Sequence, residues 1–523
     1  MFSIPRKTGK LLIIAVLILG IFFRFANLDR KVYSADEVRK ILRLSGSTSQ
    51  NFIEQVFTGE IINAEEIQQY QKLTPDRSLS DALHALAGNS EHPPLYMLLT
   101  RFLMQIFNAP ITARIFAVVL GLLALPCVYW CCLELFGSSQ PGWIAMALVA
   151  ISPFHIMAAQ NATQYSLFAV TTALSSAALL KALREQKTSN WVVYAATLTM
   201  GFYTHLFFAF VALSQGIYVF LNERFRLTQN FTAYLTSAVG SFLLFTPWIF
   251  VIYSNLDKLE KNIRYYQKFD NSLRKILSRF IANVGNTFLD FHNSSQIEKY
   301  FDYLLLILVI YAFYILCRYT PMKVWSFIVL LALVTALAQI VPDLISPSIR
   351  SLQARYYLPC FLAIEVAVAY LIAHQMSLIG NWKQNLGKLG FVLLLCCGIF
   401  SGVAIVPTQD WGLDDQKGTA SSVNLDVAPV LNAASNPLLI SEATHSFILA
   451  LSYLVEPKVK FQLLQPQDAK HWEENLDLEA NSKQFSDLFL YFPDQEFLDF
   501  IERDRNFNSQ PIIKDKLYKL SKK

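Results

Sequence analysis

The sequence predicts an all-α polytopic membrane protein of about eleven transmembrane helices, with surface helices in a first outer loop and a small C-terminal α/β domain. Three observations carry this expectation. The 523 residues are 54% apolar and only 16% charged, where an ordinary soluble domain is about a quarter charged. Apolar runs long enough for membrane helices recur as far as residue 407. Five clusters of Lys and Arg flanking those runs fall on one, cytoplasmic side under a single sidedness.

The first run, Leu11 to Ala26, follows the basic stretch Arg6-Lys7-Thr8-Gly9-Lys10 as a signal peptide would begin. The bulky Phe22-Phe23-Arg24-Phe25 offers no small-x-small cleavage site, so an uncleaved first helix near 11–27 is expected. Further spans are expected near 112–136, 142–158, 164–183, 190–204, 205–221, 231–253, 300–317, 324–342, 356–374 and 389–407, two of them short for the purpose. Pro94 to Phe107 is apolar but carries Arg101 in its middle, the profile of an interfacial helix rather than a span. With that stretch on the surface, the clusters Arg6/Lys7/Lys10, Lys181/Arg184/Lys187, Arg224/Arg226, Arg318/Lys323 and Lys383/Lys388 share one side. The other, extracytoplasmic side receives residues 28–110, turns near 159–163 and 204, loops at 254–299 and 343–355, and the tail from 408. The expected domains are therefore 1–407 in the membrane, with 28–110 as the outer loop, and 408–523 outside. In the tail, apolar runs at Pro437–Ile440, Val459–Leu464 and Asp487–Phe492 alternate with helical stretches near 445–454 and 494–503.

Composition also excludes several classes. The net charge of +5 is scattered in twos and threes, which argues against a nucleic-acid surface. All seven cysteines fall inside apolar runs, which argues against a disulfide framework or a zinc site. There is no Asp-x-Asp and no Gly-x-Gly-x-x-Gly, against a nucleotide-sugar site or a dinucleotide fold.

The outer loop opens with Tyr33-Ser34-Ala35-Asp36-Glu37-Val38-Arg39. On a helix, Asp36 and Arg39 share a face. Sugar transfer from a phosphate carrier needs a base for the acceptor's proton and a cation to steady the departing phosphate, and this pair supplies both. The plainer reading is that Asp36 and Glu37 begin a surface helix, where carboxylates favour the positive end of the dipole.

The Asp-Glu pair after the first helix, His92-Pro93-Pro94-Leu95-Tyr96, Ala113-Arg114, Leu148 to Gln160 with Ser152-Pro153-Phe154-His155, Tyr203-Thr204-His205 and Ala354-Arg355-Tyr356-Tyr357-Leu358-Pro359 together resemble the bacterial protein mannosyltransferase and aminoarabinose transferase superfamily of GT-C glycosyltransferases, over roughly residues 10–375. The resemblance implies a GT-C-like membrane domain and inverting transfer of a hexosyl or pentosyl group from a polyprenyl-phosphate sugar to a lipid, glycan or protein acceptor at the plasma (inner) membrane. It makes Asp36 the catalytic carboxylate with Glu37 beside it, Arg39 and Arg355 contacts of the donor phosphate, and His92, Tyr96, Asn161, Tyr165 and His205 residues of the substrate cavity. Membrane lipids are expected partners and nucleic acid is not. No cofactor is assigned; if a divalent metal, magnesium or manganese, takes part, Asp36 and Glu37 are its ligands.

Plainer readings stand beside these. His92 also suits a solvated cap of the helix after Pro93, Arg355 a boundary arginine reaching lipid headgroups, and His205 a polar turn residue. The sequence departs from the family at Gln160-Asn161-Ala162-Thr163-Gln164-Tyr165, where relatives usually read Gln-Glu-Ala-Arg. Asn161 and Thr163 thus replace a carboxylate and a cation together, which leaves charge balanced and puts substrate choice or activity in question. That departure supports a non-catalytic subunit of an envelope-polysaccharide machine as an alternative. Glu365, mid-span, must be protonated, paired or facing a polar cavity, and supports a lipid or solute transporter. The loop 254–299 mixes Lys258, Lys261, Arg264, Lys268, Arg274, Lys275 and Arg279 with Tyr265, Tyr266, Phe280 and Phe288, either a headgroup-facing cover or a solvated charge run with a helix at 276–291.

Overall fold

A computed structural model describes residues 6–523 except 259, 261–271, 293–295, 347, 379, 381, 412–419, 467 and 505–506. Lys261, Arg264, Tyr265, Tyr266 and Lys268 of the basic loop lie outside the described residues. The chain forms two compact units, one of Met1–Leu28, Ala87–Leu99 and Ala113–Thr408, the other of Asp29–Leu86, Thr100–Thr112 and Gln409–Lys523.

The first unit is helical, because backbone polar groups in lipid must find partners within their own segment. Among the described residues, seven helices are long and apolar enough to cross a membrane: Ile111–Phe136, Tyr165–Glu185, Gln229–Ser254, Gln296–Tyr319, Met322–Ile345, Ala354–Met376 and Trp382–Ile405. The bent pair Ser139–Ile151 and Pro153–Gln160 makes an eighth if counted as one span. The other predicted spans correspond to the helices Arg6–Phe25, Thr188–Thr204 and Phe208–Asn222. The last, at 15 residues, rises only about 22 Å, short of a hydrocarbon core of about 30 Å. Tyr165–Glu185 and Ala354–Met376 form the centre, 83% and 89% buried. Gln229–Ser254 is only 22% buried and presents Leu243, Leu244 and Phe250 outward, where lipid replaces protein as the apolar neighbour.

The helix predicted at 276–291 runs instead over Leu273–Gly285. It is anchored through Arg279 Nε, which donates to the Leu352 carbonyl at 3.3 Å, and through Phe280, whose ring lies 5.2 Å from that of Tyr357.

The second unit is built on a six-stranded sheet: β1 (Ile61–Asn63), β2 (Pro437–Ser441), β3 (Lys460–Leu463), β4 (Asp487–Tyr491), β5 (Phe507–Ile513) and β6 (Leu517–Lys522), in the order β1-β3-β2-β4-β6-β5. The core β3-β2-β4 is parallel, with Leu439 opposite both Phe461 and Phe489. β2 is buried along its whole length, as a central parallel strand covered on both faces must be. Leu438, Ile440, Leu488 and Leu490 pack with Trp472, Phe497 and Ile501.

This sheet corrects the expected domain division. The sequence reading kept residues 28–110 with the membrane domain, whereas β1 of the outer loop is an edge strand, paired antiparallel to β3 with Ile61 opposite Gln462. Gly59, just before it, is held by a bond from its N–H to the Leu463 carbonyl at 2.9 Å. Its φ of +84° is one that glycine adopts without penalty.

Candidate functional site

In the second unit, Asp36, Glu37 and Arg39 lie in the first turns of the helix Ala35–Leu44, which starts at Ser34. Ser34 and Glu37 form a capping box: the Glu37 N–H donates to Ser34 Oγ at 3.3 Å and the Ser34 N–H to Glu37 Oε2 at 2.9 Å. Two backbone donors that a helix start leaves unmatched are thereby satisfied. Glu37 is fully buried, so the structure corrects its assignment as a second catalytic carboxylate and makes it a structural one. The Ser-x-x-Glu spacing carried that signal, and the sequence reading passed over it. Asp36 points elsewhere, one quarter exposed, and accepts from Arg39 Nη2 at 2.9 Å. Glu37→Ala is expected to lower stability by about 1 kcal/mol while Glu37→Gln, which retains the cap, leaves stability and activity near wild type. Melting in detergent beside an activity assay checks this.

The backbone before Asp36 is tied to the start of the tail. The Val32 N–H donates to the Gln409 carbonyl at 2.9 Å, Lys31 Nζ to the Asp410 carbonyl at 3.1 Å, and Trp411 Nε1 to the Val32 carbonyl at 3.0 Å. The Tyr33 ring packs 4.6 Å from that of Tyr453. At the other end of the helix, Arg101 Nη1 donates to the Leu44 carbonyl at 2.6 Å, one of the carbonyls a helix end leaves open. Arg101 belongs to the helix Leu95–Met104, whose 10 residues rise about 15 Å and do not span a bilayer.

His445 begins the helix His445–Leu451. Burial first, then Arg39 and Arg43, push its imidazole down to about 4. Unfolded, it titrates near 6.5, so between those values the unfolded chain binds the extra proton. Stability should therefore fall as pH drops from about 6.5 to about 4, by on the order of 3 kcal/mol. Melting across that window should show the loss, and His445→Gln should flatten it.

In the first unit, Arg355 occupies the 3-10 turn Ala354–Tyr357 that leads into Leu358–Met376, a helix with proline in its first turn. Its guanidinium lies 5.6 Å from the Tyr165 ring centre and 5.7 Å from that of Tyr356, an arrangement attractive for a cation. His205 stacks on Phe168 at 4.9 Å and meets Tyr165 at 5.7 Å and Tyr356 at 6.2 Å. Its Nδ1 accepts from the Phe207 N–H at 3.1 Å, which leaves the proton of the neutral ring on Nε2. His92, half-buried, accepts at Nδ1 from Gln164 Nε2 at 3.2 Å, and Gln164 directly precedes Tyr165. The structure thus links Tyr165, His205, Arg355 and, through Gln164, His92. Asn161 ends the helix Pro153–Gln160 in an extended conformation, half-buried.

Tyr96 is not a cavity residue. It is fully buried, donates its hydroxyl to the Ala113 carbonyl at 3.0 Å and stacks on Phe116 at 5.8 Å. An apolar body with a satisfied hydroxyl belongs to a core. The sequence reading did not single out Phe168, Phe207 or Gln164, and nothing in their spacing marks them. Tyr356 was visible in the Ala-Arg-Tyr-Tyr run.

Glu365 is fully buried and shares a 2.9 Å hydrogen bond with His155 Nε2, so the mid-span carboxyl group is paired. Arg24, also fully buried, is close enough to Glu365 for their charges to interact. Its guanidinium donates to the carbonyls of Val149 at 3.0 Å, of Gly20 at 2.9 Å and of Ala150. These contacts explain a local feature of the sequence. Pro153 has no N–H for the Val149 carbonyl and forces Ser152 into an extended conformation (ψ 121°), so the helix breaks there by 58°. Arg24 supplies the missing donors. Gly20 permits the approach, since a Cβ there would lie 2.5 Å from the Ala150 oxygen.

Among the described residues no three His, Cys, Asp or Glu side chains stand together as metal ligands.

Residues 91–250 match the family model of dolichyl-phosphate-mannose-protein mannosyltransferases. Two structures of ArnT from Cupriavidus metallidurans share the fold: the apo state with a TM-score of 0.54 and the form bound to undecaprenyl phosphate with 0.51. Each is 12% identical, and the match covers 98% of this chain and 98% of that one. At that identity the likeness is one of fold. No curated protein sequence matches the chain significantly.

Proposed function

We propose that this chain, a multi-pass membrane protein with the GT-C glycosyltransferase fold and a mannosyltransferase-family segment over residues 91–250, transfers a sugar from a polyprenyl-phosphate carrier to an envelope acceptor on the extracytoplasmic face of the inner membrane. The observation that carries the reading is Arg355 held against Tyr165 and Tyr356, in a fold shared with a protein that binds undecaprenyl phosphate. A guanidinium matches phosphate oxygens with two parallel donors.

In this reading an acceptor hydroxyl loses its proton to Asp36 as its oxygen bonds to the anomeric carbon. The bond from that carbon to the carrier oxygen breaks, and the electron pair leaves with the polyprenyl phosphate. Arginine donors steady the phosphate's charge. Attack opposite the leaving group inverts the anomeric carbon. Arg39 turns Asp36 by the 2.9 Å bond already described, and Glu37 fixes the helix start that carries both.

The transporter reading rested on Glu365, which is paired with His155 inside the bundle. The reading as a non-catalytic subunit draws on Asn161 and Thr163. Release of polyprenyl phosphate from polyprenyl-phosphate hexose or pentose by the purified full-length protein separates these readings: turnover supports the enzyme, and carrier binding without turnover supports the subunit. Reporter fusions at residue 36 and at the C-terminus test the extracytoplasmic placement.

A further inference from the structure

The acidic loop and the tail bring together more positive charge than glycosyl transfer by Asp36 needs. Arg39 and Arg43 lie one turn apart on one face of the helix Ala35–Leu44. The helix His445–Leu451 packs against that helix, and His445 lies within range of the charges on both arginines. Phe52, 6.3 Å away, closes another side of the imidazole. Among the described residues His445 Nε2 is buried and has no hydrogen-bond partner, a condition that folded proteins rarely leave standing. Burial and the neighbouring cations keep the ring neutral above pH of about 4, so it can present an N–H and not a third positive charge.

We propose that Arg39, Arg43 and His445 form a subsite for a phosphate group, with the two guanidiniums as ionic donors and His445 Nε2–H as a third. The assignment rests on the glycosyl-transfer reading and deepens it, because it gives the C-terminal segment a direct part in substrate binding. Each guanidinium offers parallel N–H donors of the kind that pair with phosphate oxygens, and a phosphate has enough oxygens to engage both. Asp36, bonded to Arg39, stands at the edge of this subsite and disfavours any anion that does not engage Arg43 and His445 as well. The phosphate belongs either to the carrier lipid or to a phosphorylated acceptor.

The test uses the full-length protein in detergent, titrated with inorganic phosphate and with undecaprenyl phosphate, for wild type and for Arg43→Met, Arg43→Lys, His445→Ala and His445→Gln. Arg43→Met and His445→Ala should each weaken phosphate binding about tenfold, and His445→Gln, which places an amide N–H near the Nε2 position, should recover part of the loss. Arg43→Lys keeps the charge and separates binding from folding defects. A loss seen with undecaprenyl phosphate assigns the subsite to the donor. A loss confined to inorganic phosphate, joined to a raised KM for a phosphorylated acceptor, assigns it to the acceptor. Unchanged affinity for both probes in the folded variants overturns the proposal. If no sugar donor is ever turned over, the glycosyl-transfer reading falls, while the phosphate titrations still decide the subsite.

Discussion

Asp36→Asn is expected to reduce sugar transfer by at least about 10³-fold while leaving the protein folded. Removing a base from direct proton transfer takes away a factor of about 10² to 10⁴, and asparagine cannot accept the proton. The effect on stability should be small. Asp36 is a quarter exposed and its bond to Arg39 is a partly solvated pair three residues apart on one helix, worth under about 1 kcal/mol. The carboxylate's favourable position near the helix start adds a few tenths more. Polyprenyl phosphate release at saturating donor, set beside the melting midpoint, separates the two effects. Full activity in the folded Asp36→Asn protein removes Asp36 from the mechanism.

Arg24→Met should produce the largest loss of stability. The substitution strips donors from the Gly20, Val149 and Ala150 carbonyls and leaves the buried Glu365–His155 pair without the nearby cation. Removing one member of a buried charged set costs about 3 to 5 kcal/mol, because the remaining charge stays desolvated. The yield of monodisperse protein and its melting midpoint should both drop sharply. Replacing Glu365 by Leu in the same protein should recover part of the loss, since the uncompensated carboxylate goes with it. Glu365→Gln alone keeps a group that hydrogen-bonds His155 and should be milder. If Glu365→Gln stops function while Asp36→Asn does not, the carboxylate carries a transported species and the enzyme reading fails.

Much of the membrane part was legible because lipid leaves so few solutions. The run from Tyr356 to His374 has to be a helix, and it is one, over Leu358–Met376. The brevity of Leu95–Met104 was readable too, from length and from Arg101. The break at Ser152 was less so. The sequence displays Pro153, but a proline's effect depends on whether a neighbour can satisfy the carbonyls it orphans, and that neighbour, Arg24, comes 125 residues earlier than Val149. The tail's core strands stood out as apolar runs. β5 and β6 did not, since β5 is mostly exposed and contains Pro511, which only an edge strand tolerates. β1 has three residues, too few for any periodicity. Of the candidate residues, Asp36 in the second unit and Arg355, His205, Tyr165 and His92 in the first were nominated by motif resemblance, whereas the surroundings of His445 and the capping role of Glu37 depend on packing or on a local pattern.

The pairing of Ile61 with Gln462 has a consequence for how the molecule is made. A strand from the first eighth of the chain finishes hydrogen bonding only after nearly nine-tenths has been synthesised. Contacts of such sequence separation form late, because chain closure precedes any gain from them. The acidic loop therefore has to wait, incomplete, through the insertion of every later membrane segment. A premature stop between the last membrane helix, which ends at Ile405, and β3, which begins at Lys460, leaves the membrane helices intact and β1 without its partner strand, so quality control reads the far end of the chain to judge the near one.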